Sequence, residues 1–237
     1  KVFEAFSIPM YEREGFEADA LLGTIAHELR EEGVDVIIAS GDMDMLQLVD
    51  DERVRVFTLK KGINDTILYD EKAVVERFGF PPPLIRDLKG IMGDPSDNIK
   101  GVPGVGEGSA LKLIQNYGDL ENIFKTLKKK GVEAVAKEAG IQKRYVQLVL
   151  DNEEEALFSK SLATIRLDAP IAFVLPEHPW REVVELPKVF SMCDEFGFRS
   201  LRERAQKVLT VSANRPDEEG APETPYVAPV PEDVDPI

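Results

Sequence analysis

Six acidic residues stand in three closely spaced pairs, and residues of this type and spacing can hold metal ions. The pairs are Glu17/Asp19, Asp42/Asp44 and Asp94/Asp97. No histidine or cysteine stands directly beside them, and ligand sets made only of oxygen favour Mg²⁺ or Mn²⁺ over zinc. The pattern therefore predicts a site for hard divalent cations.

A glycine-rich turn follows the third acidic pair. The run Gly101-Val-Pro-Gly104-Val-Gly106 leads into a predicted helix that carries Ser109 and Lys112. Glycines let a backbone pass close to a phosphate, and the free N–H groups at a helix start can donate to it. Lys112 would lie about two turns further on, within reach of a neighbouring phosphate. We favour a phosphate site because the turn is more elaborate than a simple connection needs.

Each of these features also has a purely structural interpretation. Asp19 could cap its helix, and residues 94–97 fit a helix start with aspartate as the cap, proline next and an acid at the third position. Asp42 and Asp44 could form a polar turn, and the glycine run could be a plain helix–turn–helix connection. Three acidic pairs at element ends favour the metal site, and capping is compatible with metal ligation.

Alternating strands and helices are predicted to position the first two acidic pairs. The expected elements are a helix over 17–33, a strand over 34–39, a strand over 54–59 and a helix over 70–78. This order predicts an α/β layer with a mainly parallel sheet. Asp42 and Asp44 follow the first strand, at the edge where open α/β sheets place their ligand sites.

The pattern changes after three consecutive prolines at 81–83, where we expect a domain boundary. Predicted helices follow near 84–92, 106–117, 119–129, 131–138 and 141–157, with two more between 185 and 208. We therefore predict an α/β domain over 1–82 and a helical domain with closing helices over 83–209. Residues 210–237 are rich in Pro, Glu, Asp and Ala, which predicts a disordered acidic tail or linker.

Composition bounds the class of protein without deciding its partner. The 237 residues include 43% hydrophobic and 31% charged residues, which is ordinary for a globular protein. The net charge of −15 disfavours a nucleic-acid partner at first sight. However, from Val211 onward there are seven acids and one base, and bound cations would offset the acidic pairs. A single cysteine and the lack of a signal peptide or membrane span favour a reducing cytoplasm.

Three segments resemble the successive signatures of the bacterial 5′-nuclease (flap endonuclease-like) family. They read GFEADALLGTIA, SGDMDMLQLV and GDPSDNIKGVPGVGEGSALKLIQNYG, and FSKSLATIRLDAPI and FGFRSLRERA resemble the end of the same domain. The resemblance covers roughly residues 8–205 and is closest to the 5′→3′ exonuclease domains of DNA polymerases I. It implies a PIN-like (resolvase-like) parallel-sheet core followed by an all-α helix–three-turn–helix (SAM-like) domain.

The resemblance also implies a chemistry and a role for each candidate residue. By resemblance, Asp19, Asp42, Asp44, Asp94 and Asp97 are catalytic, and together with Glu17 they bind two or more Mg²⁺ or Mn²⁺ ions. These ions would activate a water for in-line attack on a phosphodiester and neutralise the leaving oxygen. Gly101, Gly104, Gly106, Ser109 and Lys112 match the family's DNA-binding turn, with K⁺ at residues 101–106.

The implied partners are double-stranded DNA with a 5′ end or flap, and an RNA primer on DNA. The implied roles are primer removal, nick translation and repair in a monomeric, nucleoid-associated protein of the bacterial cytoplasm, covalently linked to polymerase domains. No membrane partner is expected.

Two departures from the family pattern leave alternatives open. The family usually reads Glu-Ala-Asp-Asp where this chain has Glu17-Ala18-Asp19-Ala20, so one carboxylate is absent. The family's first strand and its acids are also absent before Lys1, so we expect an N-terminal truncation and an incomplete core. The first alternative is therefore a catalytically impaired DNA-binding module. The second, an RNA-processing PIN-type nuclease, does not predict the glycine-rich turn.

Overall fold

The computed structural model describes residues 1–51, 53–60 and 65–212. Two compact units are formed, one from Lys1–Glu14 with Ile171–Ile237 and the other from Gly15–Pro170. We call them the terminal unit and the central unit. The predicted boundary at 81–83 falls inside the central unit, so the three predicted domains remain a prediction.

Helices make up most of the described residues. The α-helices are α1 Val2–Ala5, α2 Ala18–Glu31, α3 Glu71–Phe78, α4 Ile85–Met92, α5 Glu107–Tyr117, α6 Leu120–Lys130, α7 Val132–Ala139, α8 Lys143–Asp151, α9 Glu153–Ala163, α10 Trp180–Val183, α11 Leu186–Phe196 and α12 Arg199–Ser212. Two 3₁₀ helices span Met43–Leu48 and Pro82–Leu84. None of these helices combines the length and the apolar character that a membrane crossing requires.

The sheet of the central unit has three strands in the order β1-β2-β3, with β1 Val36–Ala39, β2 Val54–Leu59 and β3 Thr66–Tyr69. β1 and β2 are parallel, with Val36 opposite Val54, as the sequence predicted. β3 was not predicted, and it pairs antiparallel with β2, with Val56 opposite Tyr69. Its four residues lie between Asp65 and Asp70 and show no alternation of apolar and polar residues, so no strand pattern stands out there.

The predicted helix over 141–157 is wrong in one respect, because two helices occupy this segment. Asn152 leaves the helical conformation with φ −119° and ψ 36°, ending α8 and starting α9. Its backbone N–H is donated to the carbonyls of Leu148 and Val149 at 3.1 and 3.3 Å. The side-chain amide of Asn152 also donates to the Leu148 carbonyl at 2.8 Å. The side-chain bond shares the Leu148 carbonyl with the backbone N–H, and such side-chain bonds compete with regular helix geometry.

One hydrophobic core runs through the whole central unit, from the sheet to the helices. Val56 of β2, Ile91 of α4 and Leu113 of α5 belong to the same buried cluster. Gly90 lets α4 and α9 approach closely, because a Cβ there would lie 2.9 Å from the Ala156 carbonyl of α9. The sheet-edge acids and the helical segment are therefore parts of one packed body.

The terminal unit has a smaller core of its own. Buried Val189, Met192 and Cys193 of α11 pack with Ala5 of α1 and Ala205 of α12. α12 ends at Ser212, so the predicted tail begins inside this helix and residues 213–237 lie outside the described residues.

Candidate metal centre and phosphate-binding turn

Asp42 and Asp44 lie just beyond the carboxyl end of β1, at the start of the first 3₁₀ helix. The Asp42 carboxylate accepts a hydrogen bond from the Asp44 backbone N–H at 2.9 Å. Asp44 is buried, with 6% of the residue's surface exposed. The pair therefore forms the polar turn of the structural interpretation and also places a carboxylate at the sheet edge. The polar turn and the metal-ligand role are therefore compatible.

Glu17 and Asp19 lie in the first turn of α2. Glu17 is the N-cap by backbone position, but its side chain makes no capping hydrogen bond, and Asp19 is the second residue of the helix. The alternative in which Asp19 caps its helix is therefore wrong. Both acids line a cavity of about 380 Å³, together with Asp44 and Asp97.

Asp94 and Asp97 lie in a turn that follows α4. The Asp94 carboxylate accepts from the Ser96 N–H at 2.9 Å, and the backbones of Asp94 and Ile99 exchange two hydrogen bonds of 2.8 Å. No helix begins within residues 94–98, so the predicted alternative of a helix N-cap at Asp94 is wrong. The turn is a closed loop that presents both carboxylates.

The loop over 93–101 is closed by a very near approach of backbone to backbone. Gly101 has φ +62°, and a Cβ there would lie 2.2 Å from the Gly93 nitrogen. Only glycine fits both conditions. The Gly101 N–H is donated to the buried hydroxyl of Ser159 on α9 at 3.1 Å, and the Val102 N–H to the Ile91 carbonyl at 2.7 Å. The acidic loop is thus fastened to α4 and α9.

Three carboxylates come close enough to share one cation. Oxygens of Asp44, Asp94 and Asp97 all lie within 4.8 Å of one another. They come from two segments that are fifty residues apart in the chain. Together with Glu17 and Asp19 in the adjoining cavity, they form an oxygen-only donor set, which is the kind that Mg²⁺ and Mn²⁺ prefer. The residues present therefore fit a divalent metal centre.

Lys89 of α4 lies inside this cluster, and its place there was not predicted from the sequence. Its ammonium forms ion pairs with Asp44 Oδ1 and Asp94 Oδ2, and 14% of its side chain is exposed. Lysine five residues before Asp94 carries no distinctive sequence signal, since its pairing with Asp44 is created only by the packing of α4 against the first 3₁₀ helix.

Burial and mutual repulsion shape the acidity of the site. The pKa of Asp19 is raised to about 6, first by burial and second by the charges of neighbouring carboxylates. The neighbours are Asp42, Asp44, Glu17 and Asp97. Burial also raises the pKa of Asp44, although Lys89 opposes this. For the less buried Asp94, hydrogen bonds from Lys89 and Ser96 outweigh burial and lower the pKa.

Gln47 of the first 3₁₀ helix is hydrogen-bonded to residues 163–165, which form one wall of the cavity. Its side-chain amide donates to the Ala163 carbonyl and its oxygen accepts from the Ile165 N–H, both at 3.0 Å. Arg166 on this wall packs over the Phe16 ring and pairs with Asp168. Ala20, the residue that departs from the family pattern, also lines this cavity.

The predicted phosphate turn forms a second cavity of about 440 Å³. It is lined by Gly104, Gly106, Ser109 and Lys112, with Glu107, Gly108, Gly140, Ile141, Gln142 and Tyr145. Gly106 is the N-cap of α5 and no side chain caps this helix start. The Lys112 ammonium donates to the Gly140 carbonyl at 3.0 Å, which joins the turn to the α7–α8 connection. The part that residues 140–145 take in lining this cavity was not predicted.

Gly101 stands apart from the other residues predicted for this turn. It is buried, it does not line the cavity, and its N–H is already donated to Ser159. Its part is to close the acidic loop, which lies next to the turn in the chain.

Comparison with known proteins gives the class of protein that this fold and site define. Residues 1–79 match the family model described as the N-terminal resolvase-like domain of 5′-3′ exonucleases, and residues 80–185 match the model of their C-terminal SAM fold. An α/β resolvase-like core followed by a helical SAM-like domain is the predicted fold class, which is thus confirmed. The chain belongs to the 5′-3′ exonuclease family.

Particular relatives agree with this placement. DNA polymerase I of Bacillus caldotenax is 39% identical over 207 residues, and that of Bacillus subtilis is 36% identical over 204. The matches cover 87% and 86% of this chain but 22% of each relative, so the chain spans about a fifth of their length. The solved T5 5′-exonuclease with bound divalent zinc is 25% identical with a TM-score of 0.55, covering 66% of this chain and 53% of that one.

Proposed function

We propose that the protein is a divalent-metal-dependent 5′→3′ exonuclease and 5′-flap endonuclease that hydrolyses phosphodiester bonds in DNA. The observation that carries this proposal is the convergence of Asp44, Asp94 and Asp97, whose oxygens lie within 4.8 Å of one another. Separate segments bring these acids to one place, as a metal centre requires and as helix capping does not.

The same acids are proposed to hold two or more Mg²⁺ or Mn²⁺ ions. Asp44, Asp94 and Asp97 would hold one, and Glu17, Asp19 and Asp42 would complete the set. The divalent zinc of the T5 5′-exonuclease supports a divalent cation in this family. When bound, such ions supply an activated water and charge neutralisation at the leaving oxygen.

The chain's own residues would orient the substrate. Gly104, Gly106 and Ser109 present backbone N–H groups and a hydroxyl at the start of α5, where a phosphate is favoured. Lys112 adds a positive charge on the same face, and K⁺ would occupy the 101–106 turn beside the duplex. Gly101 contributes through the closed loop, and it makes no phosphate contact in this proposal.

The proposed substrates are double-stranded DNA with a 5′ end or flap, and RNA primers on DNA. The relatives are DNA polymerases I, which supports primer removal, nick translation and repair, with polymerase domains in the same gene product. We place this activity in the bacterial cytoplasm, on the nucleoid, in a monomeric protein.

Flap cleavage by the full-length gene product in Mg²⁺, and its loss in EDTA, tests the proposal. Asp44→Asn should lower the rate at least a thousandfold, because it removes the most buried ligand, and should leave duplex affinity within about threefold. Asp119→Asn is the matched control, since Asp119 only caps α6 through the Asn122 N–H. Absence of cleavage by the wild-type protein, or full activity of Asp44→Asn, would overturn the proposal.

A catalytically impaired DNA-binding module is the second candidate, and Ala20 is the observation that favours it. Ala20 lines the cavity that contains the carboxylates, and its carbonyl accepts from the Thr24 hydroxyl at 2.7 Å. Ala20→Asp would add a carboxylate to the cavity. If the module is impaired, this change should raise cleavage at least tenfold, whereas an active enzyme should change by less than about threefold. Asp119→Asn again serves as the control.

A further inference from the structure

We propose that Lys89 is a positioning residue whose ammonium holds the metal-free carboxylate cluster together and gives way when a divalent cation binds. The inference rests on the proposed metal centre and deepens it. Lys89 pairs at once with Asp44 and with Asp94, two of the three acids whose oxygens converge. Its charge thus lies among the same oxygens that a cation would use.

The metal-free cluster needs such a charge. Asp44 is 6% exposed, and acids packed this closely repel one another in a partly dry environment. Lys89 lies in the last turn of α4, where the helix end favours a positive charge. α4 also leads directly into the loop over 93–101, so one short segment carries both the lysine and two of the acids. Lys89 therefore joins the helical segment to the sheet edge.

A lysine elsewhere in the central unit shows what a purely structural role looks like. Lys160 of α9 pairs with Asp87 at 2.6 Å and with Glu121 at 2.7 Å, and 15% of its side chain is exposed. Its geometry and burial match those of Lys89, but neither of its partners belongs to the converging acids. Asp87 also accepts from the Leu120 N–H at 2.9 Å, which fastens the start of α6. Lys160 is thus a matched control.

Competition with a cation is what distinguishes the two lysines. A positive charge next to the ligands opposes binding of a divalent ion, and removing it should strengthen binding. The same removal should weaken the metal-free protein, because the acids are then left without a counter-charge. Removal of a lysine with a merely structural role would lower stability equally with and without metal.

The experiment measures Mn²⁺ binding by the electron paramagnetic resonance of the free ion, and thermal unfolding in EDTA and in Mn²⁺. For Lys89→Met we expect at least tenfold tighter Mn²⁺ binding, a lower melting temperature in EDTA and a larger rise on adding Mn²⁺. Lys160→Met should melt lower by the same amount in both conditions, with unchanged Mn²⁺ affinity. Lys89→Arg keeps the charge and should bind Mn²⁺ no more tightly than the wild type.

Unchanged or weaker Mn²⁺ binding by Lys89→Met would overturn the inference, as would equal destabilisation in EDTA and Mn²⁺. If Lys89→Met does not fold in EDTA, Lys89→Gln serves in its place with the same expected direction. Flap cleavage by the wild type separates the two proposals. A wild type that binds Mn²⁺ but cuts no flap defeats the proposed function alone, and the affinity comparison still decides the role of Lys89.

Discussion

Asp19 lies partly buried among four other carboxylates, and its environment makes its charge costly in the metal-free protein. Burial and those neighbours raise its pKa to about 6, from an ordinary value of 3.8. The folded protein therefore binds this proton more tightly than the unfolded chain does. Ionised Asp19 consequently destabilises the fold above about pH 6, and the penalty disappears as the pH falls below about 4.

Asp19→Asn should therefore raise the melting temperature of the metal-free protein at pH 8. Because Asp19 is partly exposed, solvent screening limits the expected gain to about 1 kcal/mol, or roughly 2–4 °C. The gain should vanish at pH 4, where Asp19 is protonated in the wild type. Thermal unfolding in EDTA across this pH range checks it, and a gain that persists at pH 4 would contradict it.

With Mg²⁺ present, the wild type should have the higher melting temperature and Asp19→Asn the lower one. The substitution removes a proposed ligand, so the rise in melting temperature on adding Mg²⁺ at pH 8 should be smaller for Asp19→Asn than for the wild type. An equal rise in both proteins would show that Asp19 does not contribute to the metal centre.

At the level of elements, the acidic loop depends on Gly101 for its closure. A side chain there meets the Gly93 backbone at 2.2 Å in a conformation with φ +62°. Gly101→Ala should therefore cost about 3 kcal/mol of unfolding free energy, since backbone strain and overpacking add. It should also weaken divalent binding, because Asp94 and Asp97 are carried by this loop.

Gly108 of α5 is the matched control for Gly101. A Cβ at Gly108 would meet nothing within 4 Å, and the residue is already helical. Gly108→Ala should leave stability unchanged or raise it by up to about 1 kcal/mol. Chemical denaturation measures both variants. Similar stabilities for the two would show that the loop closure is not as tight as the structure indicates.

At the level of the whole molecule, the charge of −15 is unusual for a protein proposed to bind DNA. The proposed contacts with the duplex depend on local charge at the α5 turn and on cations held by the acids. Binding should therefore weaken strongly when divalent ions are removed. Ca²⁺ should restore it at constant ionic strength, because the bound cations offset the carboxylates that repel phosphate.

Lys112 should account for one phosphate contact. Lys112→Ala should weaken duplex binding about tenfold and reduce the slope of log affinity against log salt by about one. Lys72→Ala is the control, since it removes the same charge from an exposed position on α3. Fluorescence anisotropy at several salt concentrations distinguishes them. Equal losses in both variants would mean that net charge alone is being measured.

The elements that the sequence predicted correctly are those with a strong local signal. The apolar runs at 34–39 and 54–59 and the spacing of Leu21, Ile25 and Leu29 indicate β1, β2 and α2 without any tertiary information. β3 has four residues between two aspartates, whereas β1, which is equally short, ends the six-residue apolar run at 34–39. The break at Asn152 involves a side-chain bond to the preceding turn. Local patterns therefore recovered the elements that lie in clear apolar runs and missed those that do not.

For the candidate site, too, the sequence predicted one part and the tertiary structure supplied the rest. Carboxylate type and spacing, and the glycine run, determined by themselves that an oxygen-only metal centre and a phosphate turn were to be expected. Only the tertiary structure decided which acids converge, that Gly101 closes the loop while Gly104 and Gly106 line the cavity, and that Lys89 lies among the acids. The physical reason is that residue type and local spacing are written along the chain, whereas Asp44 meets Lys89 and Asp94 only because one continuous core packs α4 against the sheet edge.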